Sequence, residues 1–314
     1  MKIAVFLPKT EFTPSQQAEL VKLGEVVYTP SREEMPLDKL LALAAGAEII
    51  APDPDVFGGF AKSRPPLMKL IESLPKLKGI CLSTTSFGWI DLDYCKSRNL
   101  PVSNIPGYSR EAVAEHALAL LLCLAKKIIF YDRQTQRGQY KLETSSELKG
   151  KTLGIIGLGN IGSRVAEMAL GIGMKVIACD RKPKQQSGVE MKTFEEVLRE
   201  SDAISLHANH EDSNRNLINK DQTAKMKPGV LFVNLVDPDL VEESAMVEAL
   251  KSGQVGAYAW ESKNFEESSL TALDNSIGLK PFGWHTRETL VNLYQIFTDN
   301  IIAAAKGNPR NRIV

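Results

Sequence analysis

A chain of 314 residues with 43% apolar side chains can bury substantial cores, and its length suits two domains better than one. Lysine plus arginine and aspartate plus glutamate each total 38, so no net positive field draws the chain to nucleic acid or to an anionic membrane, and a small molecule is the expected partner. Cys81, Cys95, Cys123 and Cys179 form no close CxxC pair; they suggest neither a metal site nor a disulfide framework and fit a reducing cytoplasm.

The opening MKIAVFLP lacks the long apolar core and cleavage site of a signal peptide and reads as a first strand. From there to about residue 104, short apolar runs (IAVFL, VVYT, EIIAP, KGICLS, PVSN) alternate with amphipathic segments such as residues 14–23 and 67–74. Pro106-Gly107-Tyr108 is a turn, and Ser109 is placed to cap a long helix through AEHALALLLCLAKKIIF. Lys126 and Lys127 interrupt that apolar stretch, which falls short of the roughly 20 residues of a membrane span, so a buried helix of a soluble protein is predicted.

A second alternation follows: strand TLGIIG, a helix to about residue 170, strand KVIACD, helix FEEVLRE, strand AISLH, helix NKDQTAKM, strand VLFVNL, helix SAMVEALKSG and strand VGAYAW. Thr193 and Glu196 have capping-box spacing before one of these helices. Such alternation predicts parallel sheets covered by helices on both faces. Residues 286–305 are periodic enough for a last helix, which could return to the first domain.

The chemistry concentrates at Gly157-Leu158-Gly159-Asn160-Ile161-Gly162. A lone GxGxxG is weak, but this one follows an apolar strand and opens a helix. Gly157 allows the tight turn, Gly159 lets a pyrophosphate approach the backbone, and Gly162 permits close packing, while the helix N-terminus favours the anion. Asp180 ends the next strand, eighteen positions beyond Gly162. A carboxylate there accepts hydrogen bonds from ribose hydroxyls and repels a 2′-phosphate, so NAD is expected over NADP, with the neighbouring Arg181 as the one contrary sign. This is the signature of a Rossmann domain.

The chain resembles the D-2-hydroxyacid dehydrogenase family over most of its length. The likeness runs through FGWIDLDYCKSRNLPVSNIPGYSREAVAEHALALLL, ELKGKTLGIIGLGNIGSRVAEMALGIGMKVIACD, and MKPGVLFVNL with LVEESAMVEALKSGQVGA. The resemblance implies an α/β protein of two doubly wound parallel-sheet domains. A Rossmann cofactor domain, residues 104–280, would be inserted into a discontinuous flavodoxin-like substrate domain, residues 1–103 and 281–314. It also implies a homodimer joined through the cofactor domains and a cofactor site that includes Asn160, Ile161, Arg181, His207 and Val236. The expected reaction is NAD-dependent hydride transfer between the nicotinamide and a hydroxy or oxo compound.

Several positions depart from the family pattern. Asp237 stands where the family has the Arg that grips the substrate carboxylate, a reversal of charge, with Lys280 or Arg287 as candidate replacements. In LKPFGWHTRET the position of the family's proton-donating His is taken by Pro281 or Phe282. His285 is displaced from it, and Glu266 or Glu267 lies where the partner carboxylate is expected. The expected catalytic residues are therefore His285, Asp237 and Glu266. Trp260, followed by Glu261, replaces the Asp that contacts the nicotinamide amide. Thr84-Thr85-Ser86 replaces a glycine-containing turn and is the expected substrate contact. His210 is an unusual polar addition after AISLH, and His116 reads as structural. These departures leave two further readings open: a lyase, dehydratase or epimerase that uses NAD without net redox change, and a catalytically silent NAD(H) sensor.

Overall fold

The computed structural model describes residues 1–182 and 184–314. The chain divides into two compact units, one made of Met1–Tyr108 and Arg287–Val314, the other of Ser109–Thr286.

In the first unit, strands β1 (Lys2–Val5), β2 (Glu25–Tyr28), β3 (Ile49–Ala51), β4 (Gly79–Cys81) and β5 (Val102–Ser103) form one parallel sheet in the order β2-β1-β3-β4-β5. Its central strands are apolar without alternation because helices cover both faces. Four helices, α1 (Pro14–Val21), α2 (Leu37–Ala44), α3 (Arg64–Glu72) and α4 (Leu92–Ser97), connect them. The first is fixed by a capping box in which the Thr13 hydroxyl accepts from the Gln16 amide while the Gln16 side chain accepts from the Thr13 amide. Phe6, Ile50, Leu67, Leu70, Leu82 and Trp89 are buried in its core.

The second unit opens with α5 (Arg110–Ala125) and α6 (Ile128–Gln136). The long helix read from the sequence is thus two helices. Lys127 adopts a left-handed φ of 52°, and this ends one helix before the next begins. Ser109 also differs from expectation: its side chain makes no capping bond, and only its carbonyl enters the helix, accepting from Val113. Beyond these come β6 (Thr152–Ile156), α7 (Asn160–Gly171), β7 (Lys175–Cys179), β8 (Val189–Met191), α8 (Phe194–Glu200), β9 (Ala203–Leu206), α9 (Lys220–Lys225), β10 (Val230–Asn234), α10 (Glu243–Ser252), β11 (Val255–Glu261) and β12 (Ser276–Leu279). The short edge strands β8 and β12 were not foreseen from the sequence; at three and four residues they carry too little periodicity to stand out. The capping box of Thr193 and Glu196 is present as expected.

All seven strands of this sheet are parallel, in the order β12-β11-β10-β9-β6-β7-β8. Ala117, Leu121, Val165 and Ala169 pack with Leu153, Ile155, Val233 and Ala259 in one buried cluster, and Val197, Leu198, Met246 and Leu250 pack with Ile204, Phe232 and Tyr258 in another. The registers Ile156↔Leu206, Leu206↔Asn234 and Asn234↔Trp260 align the carboxyl ends of four adjacent strands. Their loops leave from one edge, which is where open α/β sheets bind ligands.

The chain then returns to the first unit through α11 (Arg287–Ala305), which lies against β3, β4 and α1. A Cβ at Gly79 would come within 3.3 Å of the Ala304 Cβ, so glycine lets helix and strand approach closely. Phe297 is fully buried and stacks on Phe12, with ring centroids 6.2 Å apart. Phe297→Ala is expected to destabilise this unit by about 3–5 kcal/mol, read from the urea midpoint of its unfolding transition.

Candidate nucleotide-binding and catalytic site

The phosphate loop occupies the joint between β6 and α7. Gly157 has a left-handed φ of 96°, and a Cβ there would lie 2.7 Å from the His207 carbonyl carbon. A Cβ at Gly162 would lie 2.1 Å from the Gly157 carbonyl oxygen. Neither position accepts a side chain without opening the loop. Gly159 is different: no atom lies within 4 Å of where its Cβ would be, so the backbone is bare on that side. The first-turn amides of α7, at Asn160, Ile161 and Gly162, begin a helix whose dipole favours an anion. A tight turn, a bare backbone and a helix N-terminus together fit a dinucleotide pyrophosphate.

Asp180 follows β7, and its Oδ1 accepts the Lys182 amide at 2.8 Å. Arg181 forms a fork-shaped pair with Glu211, with both N–O distances 2.7 Å. That bond holds the Glu211 carboxyl below its usual range. The cation that could have welcomed a 2′-phosphate is therefore already matched by a carboxylate, which fits NAD better than NADP.

Beyond β9, the His207 imidazole Nε2 lies 2.8 Å from the Ser205 hydroxyl, and burial pushes its pKa down to about 4. Three residues on, His210 Nδ1 meets Asp237 Oδ2 at 3.1 Å. Asp237 follows β10; its Oδ1 accepts the Asp239 amide at 2.9 Å, and its carbonyl accepts from the buried Asn234 side chain at 3.1 Å. Asn234 also accepts the Val236 amide, leaving the Val236 side chain partly exposed on the turn. Two expected departures from the family pattern thus meet as a pair.

At the end of β11 the two neighbouring side chains go opposite ways. Trp260 is buried, stacks near Tyr258, packs on Gly278 and donates its Nε1–H to Ser276 Oγ at 3.0 Å. It is a core residue. Glu261 is also buried, and its Oε1 lies 3.2 Å from His116 Nε2 on α5 while accepting the amides of Phe282 and Gly283, each at 2.9 Å. One carboxylate fixes the segment where the family's His would stand. Glu261 was visible in the sequence only as the neighbour of Trp260, because its partners lie far along the chain.

The other expected residues are placed plainly. Glu266 is exposed and paired with Lys280 at 2.7 Å, an interaction that lowers the Glu266 pKa. Lys280 also donates to the Lys263 carbonyl and lies over the Phe265 ring. Glu266 and Lys280 thus engage each other. His285 is exposed, with its ring edge-on to Trp284 at 5.1 Å. Arg287 begins α11 in the first unit. In that unit the Thr84 hydroxyl donates to the Ser86 carbonyl and accepts from Trp89 Nε1, and the Thr85 hydroxyl donates to the Ile105 carbonyl. Both threonine hydroxyls are spent on shaping the turn. Among the described residues, no group of three His, Cys, Asp or Glu side chains could hold a metal ion, and no helix is long and apolar enough to cross a membrane.

These features define the second unit as a dinucleotide-binding domain of the doubly wound class. Residues 118–280 match the family described as D-isomer specific 2-hydroxyacid dehydrogenase, NAD binding domain. A glyoxylate reductase of Thermococcus litoralis is 33% identical, with 76% of this chain and 77% of that protein covered. A D-3-phosphoglycerate dehydrogenase of Archaeoglobus fulgidus is 35% identical over 78% of this chain, which spans about half of that protein's length, 49%. Among solved structures, the NAD-complexed D-isomer specific 2-hydroxyacid dehydrogenase of Lactobacillus delbrueckii ssp. bulgaricus superposes with a TM-score of 0.81 at 26% identity, covering 100% of both chains. The chain belongs to the D-isomer specific 2-hydroxyacid dehydrogenase family of NAD-dependent oxidoreductases.

Gly162→Ala is expected to weaken NADH binding by roughly tenfold or more, measured by fluorescence titration, because the added methyl must displace the Gly157 carbonyl from the loop. The neutral His207 gives a second expectation. Unfolded, this imidazole takes a proton near its ordinary 6.5, whereas folded it resists down to about 4. Its contribution is complete above that window and is lost as pH falls through it, by up to about 3 kcal/mol. Urea unfolding of wild type and His207→Gln across this range checks it: the variant's stability should fall less steeply with acid.

Proposed function

We propose that this protein exchanges a hydride between NAD(H) and the carbinol or carbonyl carbon of a small hydroxy or oxo compound. The observation that carries this reading is the closed glycine loop with Asp180 beyond it and Arg181 already paired to Glu211. Gly157, Gly159, Asn160, Ile161 and Gly162 would hold the pyrophosphate, Asp180 the adenosine ribose, and His207 and Val236 the neighbouring wall. Bound NAD supplies the two-electron acceptor; the protein's task is to orient the substrate, exclude water and move one proton.

The relatives' names point to small 2-oxo acids as the first compounds to try, and Asp237 argues for a changed mode of recognition. In place of the family's Arg, the turn of Thr84, Thr85 and Ser86, whose last two residues are exposed, would contact substrate by groups other than its committed threonine hydroxyls. A homodimer is supported by Tyr140 and Leu142, which are 88% and 79% exposed on one short segment of the cofactor unit. Four free cysteines fit a cytoplasmic setting.

The test is NADH absorbance with glyoxylate, hydroxypyruvate, larger 2-oxo acids and oxo compounds lacking a carboxylate. Turnover with at least one is expected. Tight NADH binding without turnover on any would overturn the reading in favour of a sensor, and conversion without net NADH change would favour a lyase or epimerase. Asp180→Ser should improve NADPH use relative to NADH by about tenfold, judged by the ratio of kcat/KM values.

A further inference from the structure

We propose that His210 is the residue that exchanges the proton with the substrate oxygen, and that Asp237 is its positioning residue; this rests on the hydride-transfer reading above. The pair has the composition of an acid/base dyad and lies on the two loops that leave the carboxyl ends of β9 and β10. Those strands are adjacent in register, and β6, which carries the phosphate loop, is the next strand over. Strands are about 4.8 Å apart, so the dyad's strands lie some 5–10 Å along the sheet edge from the pyrophosphate cradle. That is the side of the loop away from Asp180 and the ribose end.

The hydrogen bonding fixes the chemistry of each ring nitrogen. An ionised carboxylate only accepts, so Nδ1, facing Asp237 Oδ2 at 3.1 Å, carries a proton. Nε2 is then the working atom, and it is buried with no partner among the described residues. A buried, unsatisfied ring nitrogen is costly in a loop that merely needs shape, and it is what a group awaiting a substrate oxygen looks like. Side-chain hydrogen bonds brace the loop on both sides. Asn214 holds the His210 loop through the Asn209 carbonyl and the Glu211 amide, and Asn234 holds the Asp237 turn. Among the described side chains nearby, Glu211 pairs with Arg181, and Asp239 with Arg215 at 3.5 Å.

In the reductive direction, bound NADH would supply the hydride to the carbonyl carbon, and as the C=O π bond opens the substrate oxygen would take the proton from Nε2 of the imidazolium. His210 is left neutral, with Nδ1–H still on Asp237, and regains a proton from solvent. Oxidation is the reverse. The protonated pair carries no net charge, so Asp237 does not confront an anionic substrate as a bare negative group.

The experiment compares the full chain with His210→Gln, Asp237→Asn and His285→Gln, using any substrate the wild type turns over. It reads kcat/KM, NADH affinity by fluorescence, and the imidazole nitrogen resonances of the NADH-loaded protein. His210→Gln should lose about 10²- to 10⁴-fold in kcat/KM while NADH affinity changes by less than about twofold. His285→Gln, which removes the other candidate donor, should lose at least tenfold less than His210→Gln. In the wild type the neutral His210 resonances should report the Nδ1–H tautomer, and Asp237→Asn should shift that population. A His210→Gln enzyme retaining more than about a tenth of wild-type kcat/KM, or an Nε2–H tautomer in the wild type, would overturn the assignment. A wild type that binds NADH but turns over nothing would instead overturn the hydride-transfer reading itself.

Discussion

The structure of the cofactor unit turns on one close approach, between the α-carbon of Gly162 and the carbonyl oxygen of Gly157. That contact lets α7 start immediately behind β6, and it brings the first helical amides to the strand's carboxyl end. Because β9, β10 and β11 are in register with β6, the same edge then receives the loops of His207, His210, Asp237 and Glu261. A side chain at position 162 would disturb the nucleotide loop first and the neighbouring chemistry through it.

The charge reversal at position 237 looks different once its partner is seen. Read alone, an aspartate in place of an arginine suggests repulsion of a carboxylate substrate. Joined to His210, it belongs to a pair whose charge depends on one proton, and its second oxygen is committed to a backbone cap. The exposed Glu266 is held by Lys280, while the buried Glu261 ties the 282–283 segment to α5. Two positions that depart from the family pattern, His210 and Asp237, thus meet at this edge of the sheet.

Much of the fold was legible because its signals are local. The glycine spacing, the acid at the end of β7, the capping box at Thr193 and the alternation of apolar runs each lie within a few turns of sequence. The break at Lys127 was hinted at by two lysines, yet periodicity runs straight through it. The site pairs were harder. His210 and Asp237 were each conspicuous, but 27 positions separate them, and only the register of β9 with β10 joins them. The pairing of His116 with Glu261 depends in the same way on how α5 packs, which no sequence window contains. Trp260 could be noticed as a substitution, but its burial against Gly278 follows from strand pairing alone.

The indoles also give the molecule a built-in optical partition. Trp89 is buried in the first unit and donates to the turn at Thr84, whereas Trp260 is buried in the second and donates to Ser276. Each unit therefore carries its own shielded fluorophore, and the third, Trp284, sits at the end of the cofactor unit beside His285. Replacing one indole at a time by phenylalanine would assign emission changes to separate bodies, so that loosening of one could be followed while the other stays folded.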